Sequence, residues 1–463
     1  MLLGSLQKMR RPLIAALLAT GLALPAHAES LADAMVSAYR TSPLLDQNRA
    51  VLRAADEDTA AAIAALRPVL QWVAQYTYQN IDGVDLNSSS VALQAQVTLY
   101  DWGRNAIAID IAKESVLATR QALVGVEQDV LLGAVRAYLE VRRAIEQIEL
   151  QQNSVRVIGE EQRAATDRFE VGEITQTDVA QADAALAAAR AGLASAEGNL
   201  AIAREAYRAA TGHMPNRLDP PPPTPSLPAS LEAARGIGQR THPSIRQAQR
   251  QTAAAELGVQ AAAAERNPSL TGTASVASQR SKSSMTLNSS TSDVAQVQLQ
   301  MSQTIYSGGR LPSAHRRAMA NRDQARAGLV NTARLVDQAV GQSWAQIDVA
   351  RALISSIDEQ IAAAQQAYEG VREEATLGAR TTLDVLDAEQ ALLSARADKI
   401  SAEANLQLAH YQLLAAMGLL TVENLKLGIP TYDPSAYYNA VQDAPFTSRQ
   451  GKSLDRVLRA IGQ

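Results

Sequence analysis

The chain has 463 residues, no cysteine, 4% aromatic residues and a formal charge of -4. The lack of cysteine excludes a disulfide framework and a lipidated amino-terminal cysteine, and the acidic balance argues against nucleic-acid binding. Abundant Ala, Gln, Leu and Glu with few aromatics predict long helices rather than two or three compact globules.

Lys8, Arg10 and Arg11 precede the apolar run Leu13 to Leu24, and Ala26-His27-Ala28 is a small-x-small cleavage signal. Residues 1–28 therefore read as a secretory signal peptide; the run is short for the alternative, a membrane-spanning anchor. Its removal takes away Lys8, Arg10 and Arg11 and moves the formal charge from -4 to -7. No later stretch reaches the roughly 18–20 apolar residues of a spanning helix, so the mature chain is soluble, peripheral or a membrane β-barrel.

Residues 29–214 form a first repeat. Ser30 caps a short helix to about Tyr39, and Pro43 opens a second that Arg67-Pro68 ends. Strands are expected at about 69–80 and 91–100, separated by a loop from Asp82-Gly83 to Ser90. Apolar Leu70, Trp72, Val91 and Leu93 alternate there with Gln71, Gln75, Gln94 and Gln96. From Gly103 to Phe169, apolar residues recur every seven (Val124, Leu131, Tyr138, Ile145) and predict one coiled-coil helix, roughly 100 Å long. A tip near 172–178 reverses the chain. The return helix then sets Val179, Leu186, Leu193 and Leu200 against Ala182, Ala189, Ala196 and Ala203, a spacing that permits close packing.

A proline-rich linker, residues 215–229, precedes a second repeat at 230–428. Tyr100, Gly103, Arg104, Leu186, Arg190 and Gly212 match Tyr306, Gly309, Arg310, Leu392, Arg396 and Gly418 at an offset of 206 residues, the signature of tandem duplication. Strands are expected at about 269–279 and 293–305, and the second tip near 378–387. The tail, 429–463, reads as a packed strap followed by loose residues.

Each descending helix has about 66 residues and each return helix about 39, which leaves the return arm roughly 40 Å short. The helix before each strand pair has the missing length, so it is expected to stack end to end on the return helix. Four strands cannot close into a barrel, whereas three protomers give twelve, apolar outside and polar within. Tyr100, Trp102 and Tyr306 fall where an interfacial girdle would lie.

With Leu99-Tyr100-Asp101-Trp102-Gly103-Arg104 and Ile305-Tyr306-Ser307-Gly308-Gly309-Arg310 at the strand-to-helix transitions and Gly378 to Asp387 at the tip, the chain resembles the TolC family of outer-membrane efflux and secretion ducts. The resemblance covers about Ser30 to Leu427. It implies a mainly α protomer with a β-barrel portion: a homotrimer whose helical barrel crosses the periplasm beneath a twelve-stranded barrel in outer-membrane lipid. It also implies a tip opened by docking to a periplasmic adaptor and an inner-membrane transporter.

The resemblance places Asp384 and Asp387 at the narrowest aperture, with Asp178 and Gln181 as first-repeat equivalents. It assigns Arg380, Thr177 and Asp178 to the bonds that hold the tip closed, around the turns at Gly172 and Gly378. Ala375 stands where a family member carries a gate tyrosine. Asp183 and Glu389 share the tips' acidity but lie off the ring. His213, His242, His315 and His410 lack metal-ligand spacing, and no enzyme or cofactor site emerges. The readings that compete are polypeptide secretion, favoured by a tail Tyr432-Asp433-Pro434 with Tyr437-Tyr438, small-molecule efflux, and an exported coiled-coil structural protein.

Overall fold

A computed structural model describes residues 28–284 and 289–441, together with Arg456. Most of the expected signal peptide and the end of the tail lie outside the described residues. Ser30 opens α1, Leu31–Thr41: its Oγ accepts from the Asp33 N–H (3.2 Å), while Asp33 Oδ2 accepts from the Ser30 N–H (3.1 Å). Ser42 caps α2, Pro43–Ala64, with proline in its first turn. There follow β1, Val69–Ile81; β2, Val84–Tyr100; α3, Arg104–Glu170; and α4, Gln176–Thr211. The second repeat supplies α5, Leu231–Thr241; α6, Pro243–Ala264; β3, Ser269–Ser283; β4, Ser289–Ser302; α7, Arg310–Thr376; and α8, Thr382–Ala416. A short α9, Pro434–Val441, ends the described tail. Helices α3 and α7 have 67 residues each.

The chain divides into two compact units. One is built from the segment ending at Thr41 with Gly133–Pro225 and Ala350–Leu408. Its seam is the alanine row Ala182, Ala189, Ala196 and Ala203, all buried on α4 with Tyr207. The segment ahead of α1 is fastened here: Glu29 forms a parallel bridge with Leu218, and its carboxylate accepts from Tyr207 Oη (2.5 Å). Tyr138, fully buried on α3, donates to the Asp219 carbonyl at 2.6 Å. The apolar series of α8 is interrupted at Lys399, whose Nζ pairs with Asp358 at 2.7 Å.

The other unit, Ser42–Leu132, Ser226–Val349 and the chain from Ala409, holds an antiparallel sheet in the order β1-β2-β3-β4. Through the body of the sheet the register is continuous, shifting between β2 and β3 at Thr98/Tyr100: Leu70 pairs with Ala95, Ala95 with Ala274, and Ala274 with Val297 on one face. Gln71, Gln94, Ser275 and Gln296 form the adjacent rung on the other. β2 begins at Val84, well before the expected position 91. Asp82 and Gly83 have φ of 52° and 82°, the paired positive values of a type I′ turn, so the hairpin closes in two residues and the expected loop is strand. β4 ends at Ser302 instead of Ile305, ahead of a bend in which Gly308 and Gly309 take positive φ. In the second repeat the junction between α5 and α6 meets the residues that follow α8: Thr241 Oγ1, at the end of α5, donates to the Met417 carbonyl (2.5 Å), and a Cβ on Gly418 would lie 2.7 Å from Cα of His242, the cap of α6.

The tail is a strap on α2 and α3. Tyr437 Oη donates to Glu57 (2.7 Å), Tyr432 covers Arg49 and Tyr438 covers Arg120. Nearby, Asp56 is fully buried and both its carboxylate oxygens lack a hydrogen-bond partner. Burial pushes its carboxyl up to about 6, against the opposing effect of the Arg120 guanidinium. A carboxyl raised in the folded state binds its proton more tightly there than in the unfolded chain, so its ionisation opposes folding as pH rises. Asp56→Asn should therefore raise the urea midpoint at pH 7.5 and make no difference below about pH 4, the gain appearing between about pH 4 and 6. Its upper bound is about 3 kcal/mol, each pKa unit being about 1.4 kcal/mol. Urea titrations of both forms at several pH values check this.

Candidate functional site at the paired helical turns

Both tips lie in the first unit and are built the same way. α3 ends at Gly172 (φ 81°) and α7 at Gly378 (φ 78°), each in the left-handed conformation that closes a helix. The N–H of Glu173 returns to the Arg168 carbonyl and that of Ala379 to the Glu374 carbonyl, each at 2.9 Å. Thr175 then caps α4: its Oγ1 accepts from the Asp178 N–H, while Asp178 Oδ2 accepts from the Thr175 N–H (2.9 Å) and hydroxyl (2.8 Å). Thr381 and Asp384 repeat the box on α8, both bonds to Oδ2 measuring 2.9 Å.

These bonds hold the Asp178 and Asp384 carboxyls below the usual carboxylate range, the threonine N–H being the first cause in each. Arg380 lowers Asp384 further. Asp384 thus stays ionised through the physiological range with Oδ2 turned back to its cap, and Asp387, one turn on, is exposed. The caps are Thr175 and Thr381; Thr177 is exposed on the first turn of α4.

Within the single chain Arg380 is bonded inside its own turn. Its Nε donates to Glu374 Oε2 at 2.9 Å, six residues back within its own turn. The links between the two coils are others: Arg168 Nη1 donates to the Ala375 carbonyl (3.3 Å), and Arg372 Nε pairs with Glu161 Oε1 (3.1 Å). Ala375 is buried with Tyr368, Val385 and Leu392, and Val157 of α3 packs against this group. Reciprocally, Leu386 of α8 is buried with Ile158, Ala165, Ala182 and Ala189 of the first coil. Val385 and Leu386 thus fix α8 from within and leave Asp387 on its outer side.

Sequence reasoning missed Glu389. It is buried, and its carboxyl is raised by that burial, partly offset by Arg396, instead of being a solvated acid like exposed Asp183. The signal was there, since Glu389 lies four residues after Val385 and three before Leu392, on the apolar stripe. Asp183 accepts from Gln162 Nε2 (2.9 Å). His213 contacts Glu29, His242 caps α6, and His410 is buried. Among the described residues no group of three His, Asp or Glu is placed to hold a metal ion, and no helix is long and apolar enough to cross a membrane.

Residues 35–213 and 239–419 match the model of the outer membrane efflux protein family. The chain is 33% identical over 439 residues to the outer membrane efflux protein BepC of Brucella suis biovar 1 (strain 1330), covering 94% of this chain and 96% of that one. It is 26% identical to the outer membrane protein TolC of Escherichia coli (strain K12), over 96% and 93% of the two chains. Among solved structures, the outer membrane protein VceC of Vibrio cholerae matches the fold with a TM-score of 0.72 at 22% identity, covering 84% of this chain and 96% of that one. Matched in both repeats and along nearly its whole length, the chain belongs to the outer membrane efflux protein family, the TolC-type outer-membrane channels.

Proposed function

We propose that three copies of this chain form a passive exit duct. Their four-stranded sheets close a twelve-stranded barrel in the outer membrane, and their helices continue it into the periplasm of a Gram-negative cell. The tips dock to a periplasmic adaptor and an inner-membrane transporter. The observation that carries this reading is the two-faced sheet of a TolC-type channel with β1 and β4 both at its edges. In this reading residues 1–28 are the leader, 29–214 and 230–428 the two repeats, 215–229 the linker and 429–463 the tail. Efflux is favoured over polypeptide secretion because BepC, matched over nearly the full length of both chains, is named an outer membrane efflux protein; small molecules are the cargo this reading assigns. The tyrosines that favoured polypeptide secretion are engaged in holding the strap.

Leu299 and Gln298 are neighbours on β4 with opposite orientation. Leu299→Arg places a charge toward lipid at a cost of roughly 2–4 kcal/mol near the midplane, whereas Gln298→Arg places it in water. Membrane fractionation with crosslinking should recover the trimer for Gln298→Arg and much less for Leu299→Arg; equal recovery would mean that the faces are reversed.

Three copies would bring Asp384 and Asp387 into two stacked rings of three carboxylates each, six in all, at the periplasmic aperture. The reconstituted channel is then cation-selective and is blocked by a multivalent cation from the tip side. Asp384→Asn with Asp387→Asn should abolish both properties, and Asp183→Asn should leave them intact. Glu389, being buried, is no control for surface charge. Block that survives the double change would remove these aspartates from the aperture.

A further inference from the structure

Every charged residue of the described strands lies on one face of the sheet. Asp85, Arg280, Lys282 and Asp293 share the face of Leu70 and Trp72, toward the hairpin ends. The opposite face, lined with Gln, Ser and Thr, carries no Asp, Glu, Lys, Arg or His among the described residues. Apolar Val69, Ile81, Val84 and Leu86 lie on this face near its two ends, but one rung is apolar on all four strands. Val73 pairs with Ala92, Ala92 with Ala277 and Ala277 with Val294, so four apolar side chains stand abreast on all four strands. The rungs on either side are polar: Gln71, Gln94, Ser275 and Gln296 before it, Gln75, Ser90, Gln279 and Ser292 after it. Val73 and Val294 are 40% and 47% exposed, so this rung is not part of the chain's own core.

We propose that Val73, Ala92, Ala277 and Val294 form an apolar collar inside the exit lumen that binds the alkyl or aryl part of amphiphilic small-molecule cargo. The inference rests on the barrel reading above, in which this face lines the lumen and three copies close the rung into a ring of twelve side chains. In a channel, what passes through must pass the lumen face, so the occupant of the rung is the cargo itself. Because the flanking rungs are uncharged, the collar selects for apolar surface and not for sign of charge. Charge selection is left to the tips. The contact is one residue deep, which makes it a transient foothold and not a plug. Each methylene fully buried on binding is worth roughly a fourfold change in affinity, so a four-carbon extension that is half covered gains on the order of tenfold.

The test is single-channel recording of the reconstituted full-length trimer with blockers added from the hairpin side. Hexyltrimethylammonium is compared with ethyltrimethylammonium, and hexanesulfonate with ethanesulfonate. The hexyl member of each pair should block at about tenfold lower concentration, whichever its charge. Val73→Thr with Val294→Thr keeps shape and strand preference, so conductance and trimer recovery should stay unchanged while the dependence on chain length disappears. The collar is overturned if the native channel shows no such dependence, if the Thr variant retains it, or if only one sign of charge shows it. Failure to obtain a channel or a trimer at all would instead overturn the barrel reading on which the inference stands.

Discussion

The constraint on which this structure depends is that backbone N–H and C=O groups cannot be left without partners in an apolar medium. The sheet has one face built to meet such a medium, with Leu70, Trp72, Leu93, Val297 and Leu299 largely exposed on it. Yet β1 and β4 each have a strand neighbour on one side only. Both edges of the described sheet therefore present unpaired backbone groups. Continuous register through the body of the sheet, up to the shift at Thr98/Tyr100, matters because a one-residue slip would exchange the glutamine face for the apolar one.

Duplication has kept the joints more faithfully than the surfaces. Thr41 donates to the Thr211 carbonyl at 2.9 Å, and Thr241 donates to the Met417 carbonyl at 2.5 Å, in the corresponding place of the second repeat. The two tips share a left-handed glycine and a reciprocal Thr–Asp cap. They differ in their outward charges: Asp387 stands where the first repeat has Gln181, and Arg380 has an acidic partner, Glu374, within its own turn. A cap is a local device that either copy can retain, whereas exposed Asp387 takes no part in it.

Buried charges are treated in two ways. Lys399 interrupts an apolar series, but its ammonium reaches Asp358 and Glu403 at a partly exposed edge. Asp56 and Glu389 lie inside, where desolvation outweighs their cationic neighbours and both carboxyls are raised. Such groups weaken the neutral-pH packing of the elements that cover them. They sit at the strap in one unit and at the coil seam beside the tips in the other.

The sequence by itself determined the duplication, the long helices, the strand pairs and the sidedness of the strands. The duplication shows as a repeat offset of 206 residues, and the others are periodicities of 7, 3.6 or 2 residues that local geometry converts directly into a face. It also determined the tips, since a glycine followed by threonine and aspartate admits few local conformations. Hairpin length escaped it because the serine-rich stretch after Asp82-Gly83 resembles a loop until the partner strand pairs with it. Only tertiary structure decided that Arg380 turns back to Glu374, that Arg168 and Arg372 join the coils, and that Glu389 is interior while Asp387 is exposed. Long flexible side chains choose among partners at similar distance, and the choice depends on how two coils are rotated against each other. No spacing along one chain segment encodes that rotation; the packing of Val157 and Leu386 across the seam fixes it.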